Sequence, residues 1–444
     1  MKSEIIKTNH GLVQGTVEGD CVVFKGIPYA QAPVGNLRWR APRPLHPWQG
    51  ILKADHYGNQ SAQKDWSSEP PGLFTREFHS DPESSNPSSE DSLYLNIRIP
   101  QKRRSAPLPV AFYVHGGAFM GGCGHEATFR TDAYAKKGVI LVTFNYRLGI
   151  FGFLAHPWLA KEDPDACGNY GLLDQIAALT WVYENISAFG GDPRQITIMG
   201  QSAGCMSVRA LLSILRSGEK FSRAIMQSGA GYPTLLGSDI SLEEGFLRGQ
   251  YAVEFSGVQS LEGLRSLTTK QICEIQEKVY AKVAKLGGGL AFSPVTNKTL
   301  LPLPIDEMTE KGMLADVPVM IGTTKNDMTV LPEEAAAKDS RFQAACRRWA
   351  QIMEENGHQP SYVYYFTHDL PGDDAGAFHS SELWYMFGSL NKCWRPMTDD
   401  DYALSEKMVS YWTNFIKTGN PNGSGLPTWL PCTSQNPFQM MLDI

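Results

Sequence analysis

The stretch Gly200-Gln201-Ser202-Ala203-Gly204 constrains this chain more than any other. The residues before it, Gln195-Ile196-Thr197-Ile198-Met199, read as a strand, and Ala203 to Leu215 reads as a helix. A strand that turns abruptly into a helix lifts the serine at the turn clear of the backbone. The positions two before and two after must be tiny, because the turn presses them against the adjacent strand and helix. A hydroxyl presented this way can meet a carbonyl carbon and a base together. Five residues with three specified also fit an ordinary glycine–serine turn that caps a helix. The rest of the chain decides between the two.

The surrounding pattern is one of alternating strands and helices. Residues 3 to 30 alternate apolar and polar side chains around Gly11, Gly15 and Gly19, as short antiparallel strands do. Residues 93–99, 108–115, 139–145, 196–199 and 221–227 read as strands. Residues 129–137, 172–185 and 203–215 read as helices between them. Later strands are expected at 318–322 and 362–366, and a terminal helix at 405–417. This order predicts an α/β protein with a mainly parallel central sheet flanked by helices and a small N-terminal antiparallel hairpin region. Residues 58 to 90 form an irregular loop rich in Ser, Pro, Glu and Asp, with Trp66, Phe74 and Phe78 inside it. A loop of this length either serves a cleft or is pinned down by its own aromatics. Residues 239 to 285 read as a helical insertion over the sheet. With no internal repeat and no evident linker, residues 1–444 are read as one domain.

Several function classes are disfavoured. The net charge is −6, and the densest basic run, Gln101-Lys102-Arg103-Arg104, reads as a solvated loop, so no nucleic-acid partner is expected. No stretch approaches 18 apolar residues, so no membrane span is expected. The first residues lack an apolar run of signal-peptide length. The eight cysteines form no Cys-x-x-Cys pair and suit neither a zinc site nor a disulfide framework. A cytoplasmic protein with reduced thiols is the expectation, monomeric or weakly self-associating.

An activated serine needs a base, a carboxylate to orient that base, and donors for an oxyanion. In the α/β-hydrolase arrangement these follow in the order nucleophile, acid, histidine. Three histidines follow Ser202: His358, His368 and His379. His379 sits among small residues ahead of an aromatic-rich segment, as a base held on a loop would. His368, after a strand end, competes with it. Asp327 lies just beyond the strand 318–322 and suits the acid, although on spacing alone an ordinary Asx turn or helix cap is the stronger reading. His115-Gly116-Gly117-Ala118-Phe119 follows an apolar strand, and its glycines would let backbone amides approach a developing oxyanion. The Ala203 amide is the expected further donor. His115 itself reads as structural.

The chain resembles the type-B carboxylesterase family, which includes cholinesterases and bacterial para-nitrobenzyl esterases. The resemblance rests on Phe24-Lys25-Gly26-Ile27-Pro28-Tyr29-Ala30, Pro33-Val34-Gly35-Asn36-Leu37-Arg38 and Glu90-Asp91-Ser92-Leu93-Tyr94-Leu95-Asn96. It continues through Asn145-Tyr146-Arg147, Gly168 to Gln175, Phe189 to Pro193 and Gln227-Ser228-Gly229, covering nearly the whole chain. It implies an α/β-hydrolase fold with helical insertions over the active site. Matched by position, the triad falls on Ser202, Asp327 and His379, and the oxyanion hole on Gly116, Gly117 and Ala203. Ser228 and Gln201 become supporting neighbours, and Arg147 and Asp174 buried structural polar groups. Four departures stand out. Asp327 replaces the family glutamate and is one methylene shorter, so either the groups approach or the hydrogen bond lengthens. Met328 replaces the glycine after it. Gln201 replaces a glutamate before the nucleophile and removes a negative charge. Ser92, with Ser61, replaces the cysteines of an early disulfide.

The expected activity is a serine carboxylesterase that hydrolyses uncharged short- to medium-chain or aryl carboxylic esters through an acyl-enzyme, with no metal or organic cofactor. Phe119, Met120, Phe292, Trp384 and Phe387 are candidate walls for the substrate, core packing being the other reading of each. Amide or carbamate hydrolysis by the same triad is the alternative. A non-catalytic interaction protein on this fold is disfavoured, because Ser202, His379, a carboxylate at 327 and the glycine loop are all retained.

Overall fold

The computed structural model describes residues 3–64, 72–81, 86–102, 106–216, 219–237 and 239–444. Trp66, Arg103 and Arg104 lie outside the described residues. Fourteen strands are present among them: β1 (Ser3–Lys7), β2 (Leu12–Glu18), β3 (Cys21–Pro28), β4 (Ile51–Lys53), β5 (Gln60–Ser61), β6 (Ser88–Ser89), β7 (Tyr94–Pro100), β8 (Leu108–Val114), β9 (Ile140–Phe144), β10 (Gly191–Gln201), β11 (Arg223–Gln227), β12 (Val319–Thr324), β13 (Ser361–Phe366) and β14 (Met440–Leu442). One large sheet runs β1-β2-β3-β7-β9-β8-β10-β11-β12-β13-β14, with β4 paired to β2. From β9 to β14 every neighbouring pair is parallel, whereas β1, β2, β3 and β7 pair antiparallel and β7 joins β9 antiparallel. The N-terminal hairpins are thus one edge of the same sheet.

The central strands are buried on both faces, which explains their nearly unbroken apolar sequences. In β8 every residue is buried. Val110, Phe112 and Val114 pack into one core, while Ala111 and Tyr113 pack into the other. β9 divides likewise, with Ile140, Val142 and Phe144 on one side and Leu141 on the opposite side. The helices Tyr170–Asn185 and Ala203–Ile214 supply the first core, and the helix Asp399–Thr418 supplies the second. Strand order reverses around β8, where β9 leaves on one side and β10 on the other. In such sheets the carboxyl ends at the reversal open a crevice. The segments that follow β8 and β10 are the glycine loop and Ser202.

Two helices differ from the sequence reading. The expected helix at 129–137 is a 3₁₀ turn, Ala127–Phe129, followed by one short helix, Ala133–Lys136. Phe129 is drawn into the second core instead of continuing a helical face. The terminal helix starts at Asp399, six residues before the expected 405. Its start is a reciprocal cap in which Thr398 accepts the Asp401 amide and Asp401 accepts the Thr398 amide. The 239–285 segment forms the helices Leu242–Ser256, Leu261–Ser266 and Thr269–Lys285. Behind the crevice, the buried guanidinium of Arg147 grips Asp174 bidentately at 2.7 Å on each arm, tying the segment after β9 to the helix 170–185.

Candidate active site

The turn at Ser202 has the geometry that its glycines imply. Ser202 has φ 57° and ψ −125°, a backbone that side chains rarely adopt. Its amide donates to the Gln227 carbonyl at 2.8 Å, which anchors the turn to β11. A Cβ on Gly200 would stand 2.4 Å from the Gly204 carbonyl oxygen, and one on Gly204 would stand 2.0 Å from that of Val114. Neither position accepts a side chain. The Ala203 amide opens a helix of 12 residues, where the backbone dipole favours negative charge.

His379 is 4 % exposed, and its Nδ1 lies 2.5 Å from Asp327 Oδ1. Two loops deliver these groups. Asp327 follows β12, and its carboxylate accepts the amides of Thr324 at 3.1 Å and Met328 at 2.8 Å. One residue before each group, Asn326 and Phe378 form a parallel bridge, closed by the Asn326 amide donating to the Ala377 carbonyl at 2.9 Å. The lacing explains how an aspartate spans the distance: the loops approach, and the bond is short. Burial opposes ionisation of Asp327, but the His379 charge and hydrogen bond, helped by nearby Ser228 and the Thr324 amide, outweigh it and hold the carboxyl below the ordinary range. Burial likewise opposes charge on His379, yet Asp327 prevails and raises it above the ordinary histidine value. Ser228 Oγ is buried beside Asp327 without closing a hydrogen bond of good geometry.

The other imidazole nitrogen, Nε2, faces the Gln201 side chain, whose amide nitrogen donates to it at 3.2 Å. With Nδ1–H donating to Asp327, Nε2 is the acceptor, as a base requires. Glu382, three residues after His379, was not singled out from the sequence, although Gln227 donates to it at 3.1 Å. Complete burial, and then the charge of Asp327, raise its carboxyl to about 7. His368 lies elsewhere, with its Nε2 2.7 Å from Asp401, and His358 packs near the Gly312 carbonyl. Neither borders the Ser202 cavity.

Gly116 and Gly117 border a cavity of about 500 Å³ together with Ser202 and His379. A Cβ on Gly116 would stand 3.2 Å from Ser202 Cβ. The loop is tightened by the Met120 and Gly121 amides, which donate to the Gly117 carbonyl, and it carries left-handed φ values at Gly117, Ala118 and Phe119. Ala118, which also lines the cavity, is a further amide of this loop, outside the expected donors Gly116, Gly117 and Ala203. His115 supports the loop: it stacks on Tyr146, and its Nδ1 bonds the Gly116 carbonyl at 2.8 Å. Burial lowers it to about 4, so it is neutral.

Of the expected wall residues, Met120 borders the cavity, whereas Phe119, Phe292, Trp384 and Phe387 do not. Phe119 turns inward onto Phe153, and Phe292 packs against Tyr280. Trp384 stacks behind Phe78, and Phe387 sits behind Tyr113 and Phe129. Each joined the core because a neighbouring aromatic offered it a fully dry contact. Besides Met120, the apolar lining includes Leu73, Phe74 and Phe78 from the 58–90 segment, and Met206, Leu236 and Leu290. Phe74 meets the His379 ring edge-on at 6.3 Å. The short helix Leu73–Phe78 that carries these aromatics is anchored by Glu77, which accepts from Arg395 at 2.7 Å and Trp394 at 2.8 Å. The same segment carries Ser61, whose Oγ lies 3.0 Å from Ser92 Oγ, so a hydrogen bond stands where the resemblance places a disulfide.

A strained serine at a strand–helix turn, an imidazole held by a buried carboxylate, and a glycine loop at the sheet's reversal point define a serine hydrolase on the α/β-hydrolase fold. The chain belongs to the carboxylesterase family: the family model matches residues 2–340 and 333–444. It is 32 % identical to the para-nitrobenzyl esterase of Bacillus subtilis over 466 residues, covering 95 % of this chain and 91 % of that protein. It is 37 % identical to the fumonisin B1 esterase of Sphingopyxis macrogoltabida over 475 residues, covering 95 % and 83 %. A solved thermophilic para-nitrobenzyl esterase superposes with a TM-score of 0.85 at 30 % identity, covering 99 % of this chain and 96 % of that one. The protein is accordingly an esterase of carboxylic esters. No helix among the described residues is long and apolar enough to cross a membrane.

Proposed function

We propose that the protein hydrolyses uncharged short- to medium-chain or aryl esters, with Ser202 as nucleophile, His379 as base and Asp327 as the group that orients it. The observation that carries this reading is the 2.5 Å contact between Asp327 and His379 Nδ1, His379 bordering the same cavity as Ser202. Ser202 Oγ attacks the ester carbonyl as its proton passes to His379 Nε2, from which the Gln201 amide withdraws. The Gly116, Gly117 and Ala203 amides, with Ala118 beside them, hold the oxyanion. The Nε2 proton then goes to the departing alkoxide, leaving an acyl-serine. Water, deprotonated by the same nitrogen, releases the acid and returns the proton to Ser202. The preference for uncharged groups rests on the apolar walls, from Phe74 to Leu290, and on the neutral Gln201. A reducing, cytoplasmic setting is part of the proposal, supported by eight unpaired cysteines.

The test is steady-state hydrolysis of para-nitrophenyl esters of increasing acyl length, with matched anilides and Ser202→Ala. Fast ester turnover with a length optimum, lost in Ser202→Ala, is expected. Anilide turnover equal to that of the esters would favour the amidase reading, and unchanged turnover in Ser202→Ala would overturn the nucleophile assignment.

A further inference from the structure

The cavity at Ser202 is also lined by two polar side chains that the proposed acyl transfer does not use, Glu126 and Tyr113. Glu126 borders it and is 9 % exposed. One carboxylate oxygen accepts the Cys123 amide at 3.2 Å. Burial raises the carboxyl to about 7, and no cationic side chain among the described residues opposes that rise. Tyr113, on β8, lines the same cavity and is 1 % exposed. Its phenol oxygen is buried with no hydrogen-bond partner. Burial, and then the charge of Glu126, hold that phenol well above its ordinary range, so it remains a donor. Burial lowers the imidazoles of His115 and His125, on the segment that carries Glu126, to about 4, so both are neutral. The remaining wall is apolar, from Phe78, Phe129 and Leu383. A buried polar group without a partner is costly, and a largely apolar cavity lined by the unpartnered Tyr113 phenol and the Glu126 carboxyl suits a ligand that bonds to both.

We propose that Glu126 and Tyr113 form a hydroxyl-recognition subsite, which takes an ester bearing a free hydroxyl on its alcohol or acyl part. A hydroxyl gives one hydrogen bond to the Glu126 carboxyl and accepts one from the Tyr113 phenol. An ammonium only donates, leaving the Tyr113 proton unpaired. A carboxylate only accepts, and it would face Glu126. A methyl group satisfies neither. The subsite rests on the esterase reading above and adds to it a class of substrate.

The test compares each hydroxyl-terminated ester with its methyl-terminated isostere, at several chain lengths, in two series. One carries the hydroxyl on the alcohol part and the other on the acyl part, so the arms also tell which part meets the subsite. The readout is the ratio of kcat/KM values within each protein, which cancels any general loss of activity and holds whichever residue is the nucleophile. A site built to hydrogen-bond a hydroxyl rejects the analogue lacking it strongly, so a preference of at least about tenfold is expected at one chain length. Tyr113→Phe and Glu126→Leu should each reduce it to below about threefold. Tyr113→Phe removes only an unpaired oxygen, and so serves if Glu126→Leu fails to fold. Equal rates at every length in both series would overturn the proposal. So would a preference that survives both substitutions, or a greater one for amine-terminated esters. Failure of the esterase reading would appear separately, as turnover that persists in Ser202→Ala.

Discussion

Replacing Asp327 with asparagine should cripple turnover while leaving the fold standing. In the proposed mechanism the imidazolium formed on His379 lies against the Asp327 carboxylate, with 2.5 Å between Nδ1 and Oδ1. Charge centres about 4 Å apart interact by about 4 kcal/mol at an effective dielectric of 20. Removing that term raises the barrier enough to slow the reaction about a thousandfold. An asparagine that presents its N–H to Nδ1 also forces the proton onto Nε2, where it can no longer accept from Ser202, so the loss can grow further. The side chain keeps nearly the same shape and one oxygen for the Thr324 or Met328 amide, so folding should persist. The assay is kcat/KM for a para-nitrophenyl ester from pH 6 to 9, with circular dichroism and thermal unfolding on the same samples. In the parent protein the acid limb should lie above the ordinary histidine value of about 6.5. Asp327 raises His379 despite its burial, and the proposed base must be neutral to accept the serine proton. A loss smaller than about tenfold, with the limb unmoved, would refute the role given to Asp327.

Gln201→Glu places a carboxylate against His379 Nε2, which the amide now meets at 3.2 Å. Like-for-like Coulomb energies of about 1 to 4 kcal/mol at 4 Å stabilise the imidazolium, so the acid limb should move to higher pH by about one unit or more, and an unmoved limb would contradict the contact. Arg395→Met strands the buried carboxylate of Glu77 and should cost about 3 to 5 kcal/mol in urea unfolding, or free the Leu73–Phe78 helix and raise KM for aryl esters. A change in neither would mean that the pair does not anchor the wall. The pair Ser61→Cys with Ser92→Cys, whose present oxygens are 3.0 Å apart, should oxidise to a disulfide worth about 3 kcal/mol. The gain should be visible as a higher Tm that dithiothreitol abolishes.

The site was legible where chemistry dictates residue type and backbone together. Glycine at 200 and 204 announces the turn because a Cβ at either would strike a carbonyl oxygen. The order serine, acid, histidine narrowed the base to a few candidates and the family resemblance pointed to His379; the bridge between Asn326 and Phe378 is what brings His379, and not His368, to Asp327. The cavity wall was legible in part. Phe74 and Phe78 were flagged as aromatics of a loop that serves a cleft or pins itself, and they do both: Phe74 covers His379 and Phe78 also stacks on Trp384. Phe119, Phe292, Trp384 and Phe387 were expected at the substrate and lie in the core, because an aromatic residue states a need for burial and not a direction.

The sequence by itself determined the alternation of strand and helix, the turn that presents Ser202, and the amides of the glycine loop. These depend on spacing, on steric exclusion at glycine, and on hydrogen bonds within a few residues. Tertiary structure alone decided how an aspartate reaches His379, which aromatics face the cavity, and that Glu126 and Tyr113 line the same cavity. Those contacts join residues far apart in the chain. Their geometry is set by how the sheet and its covering helices pack, which no local pattern encodes.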